Sequence, residues 1–245
     1  MANPLASTGM PGQAVGMDYV LLHGTTQSTA GWERLVAALA SRGHQALVVD
    51  LPVDRPDLLA ADYARIAADQ VGGAVARPVV VAHSGAGLLL PAVADGLDAA
   101  HLVWLAAAVP DFGGGASFLE QIERAGSELV HEEWRRFGRE STEDPVVAAY
   151  FGFHDCDLET LRWALTTIRL FYPAAVYAER PSAPPARPST YVLPRQDRTL
   201  RPAWMGTAAR ERLGVEPIEI DAGHFPHVSQ PDALADILER ESGGA

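Results

Sequence analysis

The chain has 245 residues, 48% of them hydrophobic, and carries 19 basic against 31 acidic residues for a formal net charge of −12. That length and apolar fraction suit one globular domain with a large core, and the acidic balance offers no basic surface for nucleic acid or an anionic membrane. All the basic residues are arginine; without lysine, Schiff-base chemistry, a pyridoxal-phosphate anchor and a P-loop are excluded.

Residues 1–17 are rich in Ala, Gly and Pro and lack a basic start or an apolar run long enough for export, so a flexible leader is expected there. Short apolar runs then alternate with helical patterns. Strands are expected near 18–22, 45–50, 78–82, 101–107, 189–193 and 216–220, and helices near 31–42, 59–74, 85–96, 202–213 and 231–240. This alternation predicts an α/β fold, a mostly parallel six-stranded sheet with helices on both faces. Pro91 falls inside the helix expected at 85–96, where it should remove a hydrogen bond or kink the helix.

From 111 to 182 the alternation stops. Helical stretches are expected near 116–138, 142–152 and 158–178, with most of the chain's aromatic residues, and they predict a helical cap over the strand ends. The core is then 18–110 and 183–245, and the proline-rich run Pro181 to Pro188 returns the chain to it as a stiff linker. No run of about twenty apolar residues exists to span a membrane, and a cytoplasmic location is the simplest expectation.

The chemistry concentrates at the ends of the expected strands. Ser84 follows Pro78-Val-Val-Val-Ala-His83 and precedes Gly85-Ala-Gly87, so an apolar strand runs into a turn of very small residues and then a helix. Such a turn lifts one hydroxyl out of the backbone. Asp197 ends Tyr191-Val-Leu-Pro-Arg-Gln-Asp197, and His224 ends Ile220-Asp-Ala-Gly-His224. Serine needs a base, histidine has the pKa range to serve as one, and a carboxylate can fix its tautomer. The turn after the first strand, His23-Gly24-Thr25, places the Thr25 amide beside that of Gly85 as an expected oxyanion hole.

Other residues compete for these roles. Asp111 and Asp221 also follow strands and could each be the acid in place of Asp197. His23, His83 and His227 read as scaffold groups. His154-Asp155-Cys156-Asp157 resembles a metal site but fits a helix N-cap better, so no metal and no cofactor is expected. Cys156 is the only cysteine and can form no intrachain disulfide. Gly85-Ala-Gly87 is no dinucleotide fingerprint, because Leu90 stands where the third glycine belongs.

In Leu22-His-Gly24, Gly31-Trp-Glu33, Arg42-Gly-His44, Val49-Asp-Leu-Pro52, the serine elbow, Leu105-Ala-Ala-Ala-Val-Pro110, Gln196-Asp197 and Ala222-Gly-His224, the chain from 18 to about 240 resembles the α/β-hydrolase superfamily. It is most similar to the compact branch of plant methyl esterases, hydroxynitrile lyases and bacterial homologues. The order Ser, Asp, His agrees. Two positions depart from the pattern, Ala82 for the first elbow glycine and Gly85 for a bulkier residue. The resemblance implies an α/β-hydrolase fold and a serine hydrolase with Ser84, Asp197 and His224 as triad. Its expected substrate is a small, neutral, hydrophobic ester or thioester, with Phe112, Trp134, Phe151, Trp163 and Phe225 as expected pocket residues. It also implies that hydroxynitrile lyases carry a lysine after the catalytic histidine; Phe225 stands there, so cyanohydrin cleavage is not expected. Non-hydrolytic use of the same site (elimination, cyclisation or acyl transfer) and a low-turnover ligand receptor remain alternatives, and the oligomeric state is left open.

Overall fold

The computed structural model describes residues 16–181 and 183–243. The leader expected at 1–17 lies outside the described residues except for Gly16 and Met17.

Six strands, β1 (Asp18–Leu22), β2 (Gln45–Val49), β3 (Val79–His83), β4 (His101–Leu105), β5 (Ser189–Pro194) and β6 (Ile218–Ile220), form one sheet in the order β2-β1-β3-β4-β5-β6. All neighbouring pairs are parallel. The central strands β3 and β4 are buried along their whole length, which is why Val-Val-Val-Ala-His and His-Leu-Val-Trp-Leu show no polar alternation. Because every strand runs the same way, the segments after β1, β3, β5 and β6 emerge at one edge.

Helices α1 (Glu33–Ser41), α2 (Ala60–Val71) and α3 (Leu90–Gly96) follow the first three strands; α4 (Phe118–Leu129), α5 (Glu132–Phe137), α6 (Pro145–Phe151), α7 (Leu158–Thr166) and α8 (Ala174–Ala178) lie between β4 and β5. The last three are α9 (Pro202–Ala208), α10 (Pro226–Ser229) and α11 (Pro231–Ser242). On one face, Leu35 and Leu39 of α1 and Leu234 and Leu238 of α11 pack on Leu21, Val81 and Val103. On the other, Tyr63, Val93 and Met205 from α2, α3 and α9 pack on Val20, Val80 and Trp104. Each fully buried leucine contributes roughly 1.5–3 kcal/mol, so these two layers hold the sheet that positions the site. Phe118, Leu129, Val130, Phe171 and Val176 of the inserted helices join the second layer. The insertion is therefore packed on the sheet as well as on itself.

Three expected elements differ. The helix at 85–96 is a 3-10 turn over Ser84–Leu88 followed by α3. Pro91 lies in the first turn of α3, where its missing N–H has no partner to lose, so it neither kinks nor weakens the helix. The helix at 116–138 is divided into α4 and α5. Val130 forms a bridge with Leu200, and the His131 amide donates to the Thr199 carbonyl at 2.9 Å. The helix at 158–178 stops at Thr166 because the following residues pair with the loop after β1: Ser28 N donates to Thr167 O at 2.8 Å and Phe171 N to Thr25 O at 2.7 Å. The last two interruptions serve partners distant in sequence, to which local periodicity is blind. No helix among the described residues is long and apolar enough to cross a membrane.

Candidate active site

Ser84 begins where β3 ends, with φ at 54°. A non-glycine residue in this left-handed region costs of order 1–3 kcal/mol and is kept only where its surroundings over-determine it. Here the surroundings are the fully buried Ala82 and Ala86 on either side and a hydrogen bond from Ala108 N to the Ser84 carbonyl at 3.0 Å. The Ser84 hydroxyl faces His224, whose Nε2 lies 3.0 Å from Oγ.

His224 Nδ1 lies 2.6 Å from Asp197 Oδ2. The carboxylate accepts here, so Nδ1 carries the proton and Nε2 is left as an acceptor for the Ser84 hydroxyl. The other carboxylate oxygen accepts from Thr199 N at 2.7 Å, Thr199 Oγ1 at 2.8 Å and Leu200 N at 3.1 Å. Asp197 and His224 are each 3% exposed, and a carboxylate at that depth requires such a set of donors. The competing acids are elsewhere. Asp111 closes its own turn by accepting from Gly114 N at 2.9 Å, and Asp221 is exposed, accepting from Gln196 Nε2 at 2.8 Å and pairing with Arg195.

Thr25 and Gly85 line a cavity of ≈ 110 Å³ together with Ser84 and His224. Thr25 follows β1 and Gly85 follows Ser84 in the 3-10 turn, so the two residues expected to form the oxyanion hole share the cavity of the serine. A Cβ on Gly85 would lie 2.4 Å from the Tyr177 hydroxyl and 2.7 Å from Thr25 Cγ2. The bulkier residue of the family pattern would have no room here, and the space is taken by Tyr177.

The remaining walls of the cavity are Thr26, Ala108, Phe118, Ile122, Val130, Trp134, Thr199 and Leu200. Of the five aromatic residues expected at the pocket, Trp134 alone lines it. Phe112 faces a separate cleft of ≈ 460 Å³ with Leu88 and Pro91. Phe151 is buried behind Trp134, edge-on at 5.4 Å, Trp163 sits beneath the Arg34 guanidinium, and Phe225 stacks on Phe153. Composition marked the region as aromatic but not which face of each helix turns inward. Phe118, Tyr177, Thr199 and Leu200 were missed as individual wall residues, since they reach the cavity through long-range bridges and helix ends.

Three further histidines surround the pair. His83 Nε2 donates to the His224 carbonyl at 2.8 Å, His227 Nε2 donates to Gln27 Oε1 at 2.7 Å, and His23 donates from Nδ1 to Gly24 O and accepts at Nε2 from Leu51 N. Burial depresses all three: His23 to about 4, His227 to about 3, with His224 adding to the effect, and His83 well below its usual range. They stay neutral at pH 7. The lone thiol is inert as well, since burial raises Cys156 to about 12.

With this geometry in view, the chain belongs to the alpha/beta hydrolase family, whose model matches residues 19–237. Among solved structures it is similar to polyneuridine aldehyde esterase, with a TM-score of 0.71 at 20% identity, covering 92% of this chain and 98% of that one. A methylesterase from Arabidopsis matches with a TM-score of 0.71 at 16% identity over 94% and 100% of the two chains. A pyrethroid hydrolase from Sphingobium faniae matches with 0.67 at 17% over 92% and 97%. At these identities the likeness is one of fold. No curated protein matches the sequence.

The depressed histidines make stability depend on pH. Below pH 6.5 the unfolded chain binds protons at His23 and His227 that the folded chain refuses down to about 4 and about 3. Stability is therefore complete above about pH 6.5 and falls with acidification, by about 1.4 kcal/mol per pH unit for each ring. Urea midpoints measured from pH 7.5 to 4.5 should fall steadily below 6.5; a flat profile would mean that these rings titrate normally in the fold.

Proposed function

We propose that this chain is a serine esterase that cleaves small, neutral, apolar carboxylic esters or thioesters through an acyl-enzyme on Ser84. The observation that carries the reading is the unbroken line of hydrogen bonds from Ser84 Oγ through His224 to Asp197, in one cavity with Thr25 and Gly85. Ser84 Oγ attacks the acyl carbon as its proton passes to His224 Nε2. Asp197 holds the resulting imidazolium, and the Thr25 and Gly85 amides receive the oxyanion, each worth roughly 3 kcal/mol in comparable sites. His224 then gives the proton to the departing alcohol or thiol. Water enters and attacks the acyl carbon as its proton passes to the same nitrogen, and His224 then gives that proton to Ser84 Oγ as the acyl C–O bond breaks and the acid leaves. The three structural neighbours, an esterase, a methylesterase and a pyrethroid hydrolase, support the reading.

Size and charge narrow the substrate. The cavity of ≈ 110 Å³ is below the roughly 300 Å³ at which sites for drug-sized ligands begin, and no arginine lines it, which disfavours anionic substrates. Phe118 borders both this cavity and the ≈ 460 Å³ cleft that holds Phe112.

Hydrolysis of p-nitrophenyl acetate tests the assignment. Ser84→Ala and Asp197→Asn should each cut turnover by about 10⁴, whereas Asp111→Asn and Asp221→Asn should change it little. Equal turnover by wild type and Ser84→Ala would remove the nucleophile; no turnover by either would favour an elimination enzyme or a receptor. Phe118→Ala should raise the kcat/KM for p-nitrophenyl octanoate relative to acetate by about 10-fold or more, because it opens the partition to the larger cleft. An unchanged ratio would mean that Phe118 does not limit chain length.

A further inference from the structure

The cluster His154-Asp155-Cys156-Asp157 forms no metal-binding group among the described residues. Asp157 is the N-cap of α7, accepting from Thr160 N at 2.7 Å. His154 and Asp155, three and two residues ahead of it, reach away from α7. His154 Nε2 donates to the Gln196 carbonyl at 3.0 Å, and Asp155 Oδ2 accepts from the Gly223 amide at 2.7 Å. Gln196 precedes Asp197, and Gly223 precedes His224.

The residues on the far side of the acid and base are held by the same stretch. Arg198 donates from Nη1 to the Tyr150 carbonyl at 3.1 Å, with its guanidinium 4.8 Å from the Tyr150 ring centre. Phe225 stacks on Phe153 at 4.8 Å with 25° between the planes. Residues 150–155 thus grip the neighbours of Asp197 and of His224 on both sides.

Apart from the His83 side chain on the His224 carbonyl, the sheet ties these loops together only near their start. β6 is an edge strand of 3 residues, and the last backbone tie between the two segments is Gln196 N to Ala222 O at 3.0 Å. Beyond it the chains diverge, one to Asp197 and one to His224. A displacement of 1 Å at such a site can cost about 10²-fold in rate. The close approach of the clamp also needs Gly223: a Cβ there would lie 2.8 Å from Asp155 Oδ1 and 3.0 Å from His154 Nε2.

We infer that residues 150–155 are a positioning clamp, with His154 and Asp155 as its polar contacts, which sets the loops carrying Asp197 and His224 from the cap side. The inference rests on the proposed triad. It makes the cap part of the catalytic framework as well as a cover for the pocket, and it ties any movement of this cap segment to the geometry of the acid and base.

Two variant pairs test it, Asp155→Ala with Asp155→Asn and His154→Leu with His154→Gln, each followed by kcat and KM for p-nitrophenyl acetate and by the proton NMR resonance of the His224 Nδ1–H that bonds Asp197. Asp155→Ala and His154→Leu should lower kcat by about 10²-fold with little change in KM, and should shift or broaden that resonance. Asp155→Asn keeps an acceptor for Gly223 N–H and His154→Gln keeps a donor for Gln196 O, so both should recover most of kcat and the wild-type resonance. If one of the disruptive variants does not fold, the other pair decides. Wild-type kcat and resonance in a folded Asp155→Ala or His154→Leu would overturn the clamp, as would failure of both conservative variants to rescue. A wild type without esterase turnover would sink the proposed function, and the resonance alone would then still judge the clamp.

Discussion

The backbone at Ser84 is held in the left-handed region, at φ 54°, and much of the surrounding packing can be understood as what makes that conformation tolerable. β3 enters the turn buried on every residue and paired on both sides, so the strand cannot slide to relieve it. The turn is built from Gly85, Ala86 and Gly87, and the chain after β4 closes against it through Ala108 N on the Ser84 carbonyl. A strain of about 1–3 kcal/mol is small beside the burial of the two layers on the sheet, yet large enough to require them.

A second layer of organisation is electrostatic. Asp197 is buried but accepts from Thr199, Leu200 and His224, so its charge is met by donors that belong to its own loop and to the base. His83, His227 and His23 are kept neutral by burial. No additional positive charge is thereby placed beside His224, and a proton arriving there has Asp197 as its counter-charge. The loop after β1 is bound in turn to the segment after α7, through Phe171 N on Thr25 O and Ser28 N on Thr167 O. The segment between β4 and β5 is therefore fastened to the loop after β1, and through residues 150–155 to the loops after β5 and β6.

The parallel sheet was legible because its central strands are uninterrupted apolar runs, and the hydrogen-bonded group of Ser84, Asp197 and His224 was legible because each stands just past a strand. Pro91 misled because the 3-10 turn at Ser84–Leu88 has no periodicity long enough to separate from α3. The cap was harder. Phe112, Phe151, Trp163 and Phe225 are as aromatic as Trp134, and which rings face the cavity follows from long-range packing, such as Phe225 on Phe153 and Trp163 under Arg34, that has no local signature. His154 and Asp155 carried a visible signal, a cluster of potential ligands, but their partners are the backbone groups of Gln196 and Gly223, which have no signature in sequence.

The central claim is that Ser84 becomes acylated. Brief exposure to p-nitrophenyl acetate, an acid quench and peptide mass spectrometry would test it directly. The peptide containing Ser84 should carry the added mass of one acetyl group in wild type and none in Ser84→Ala, with Asp197→Asn acylated far more slowly. Acetyl on another residue, or turnover with no acyl-enzyme under conditions in which deacylation is slowed by low pH, would contradict the account.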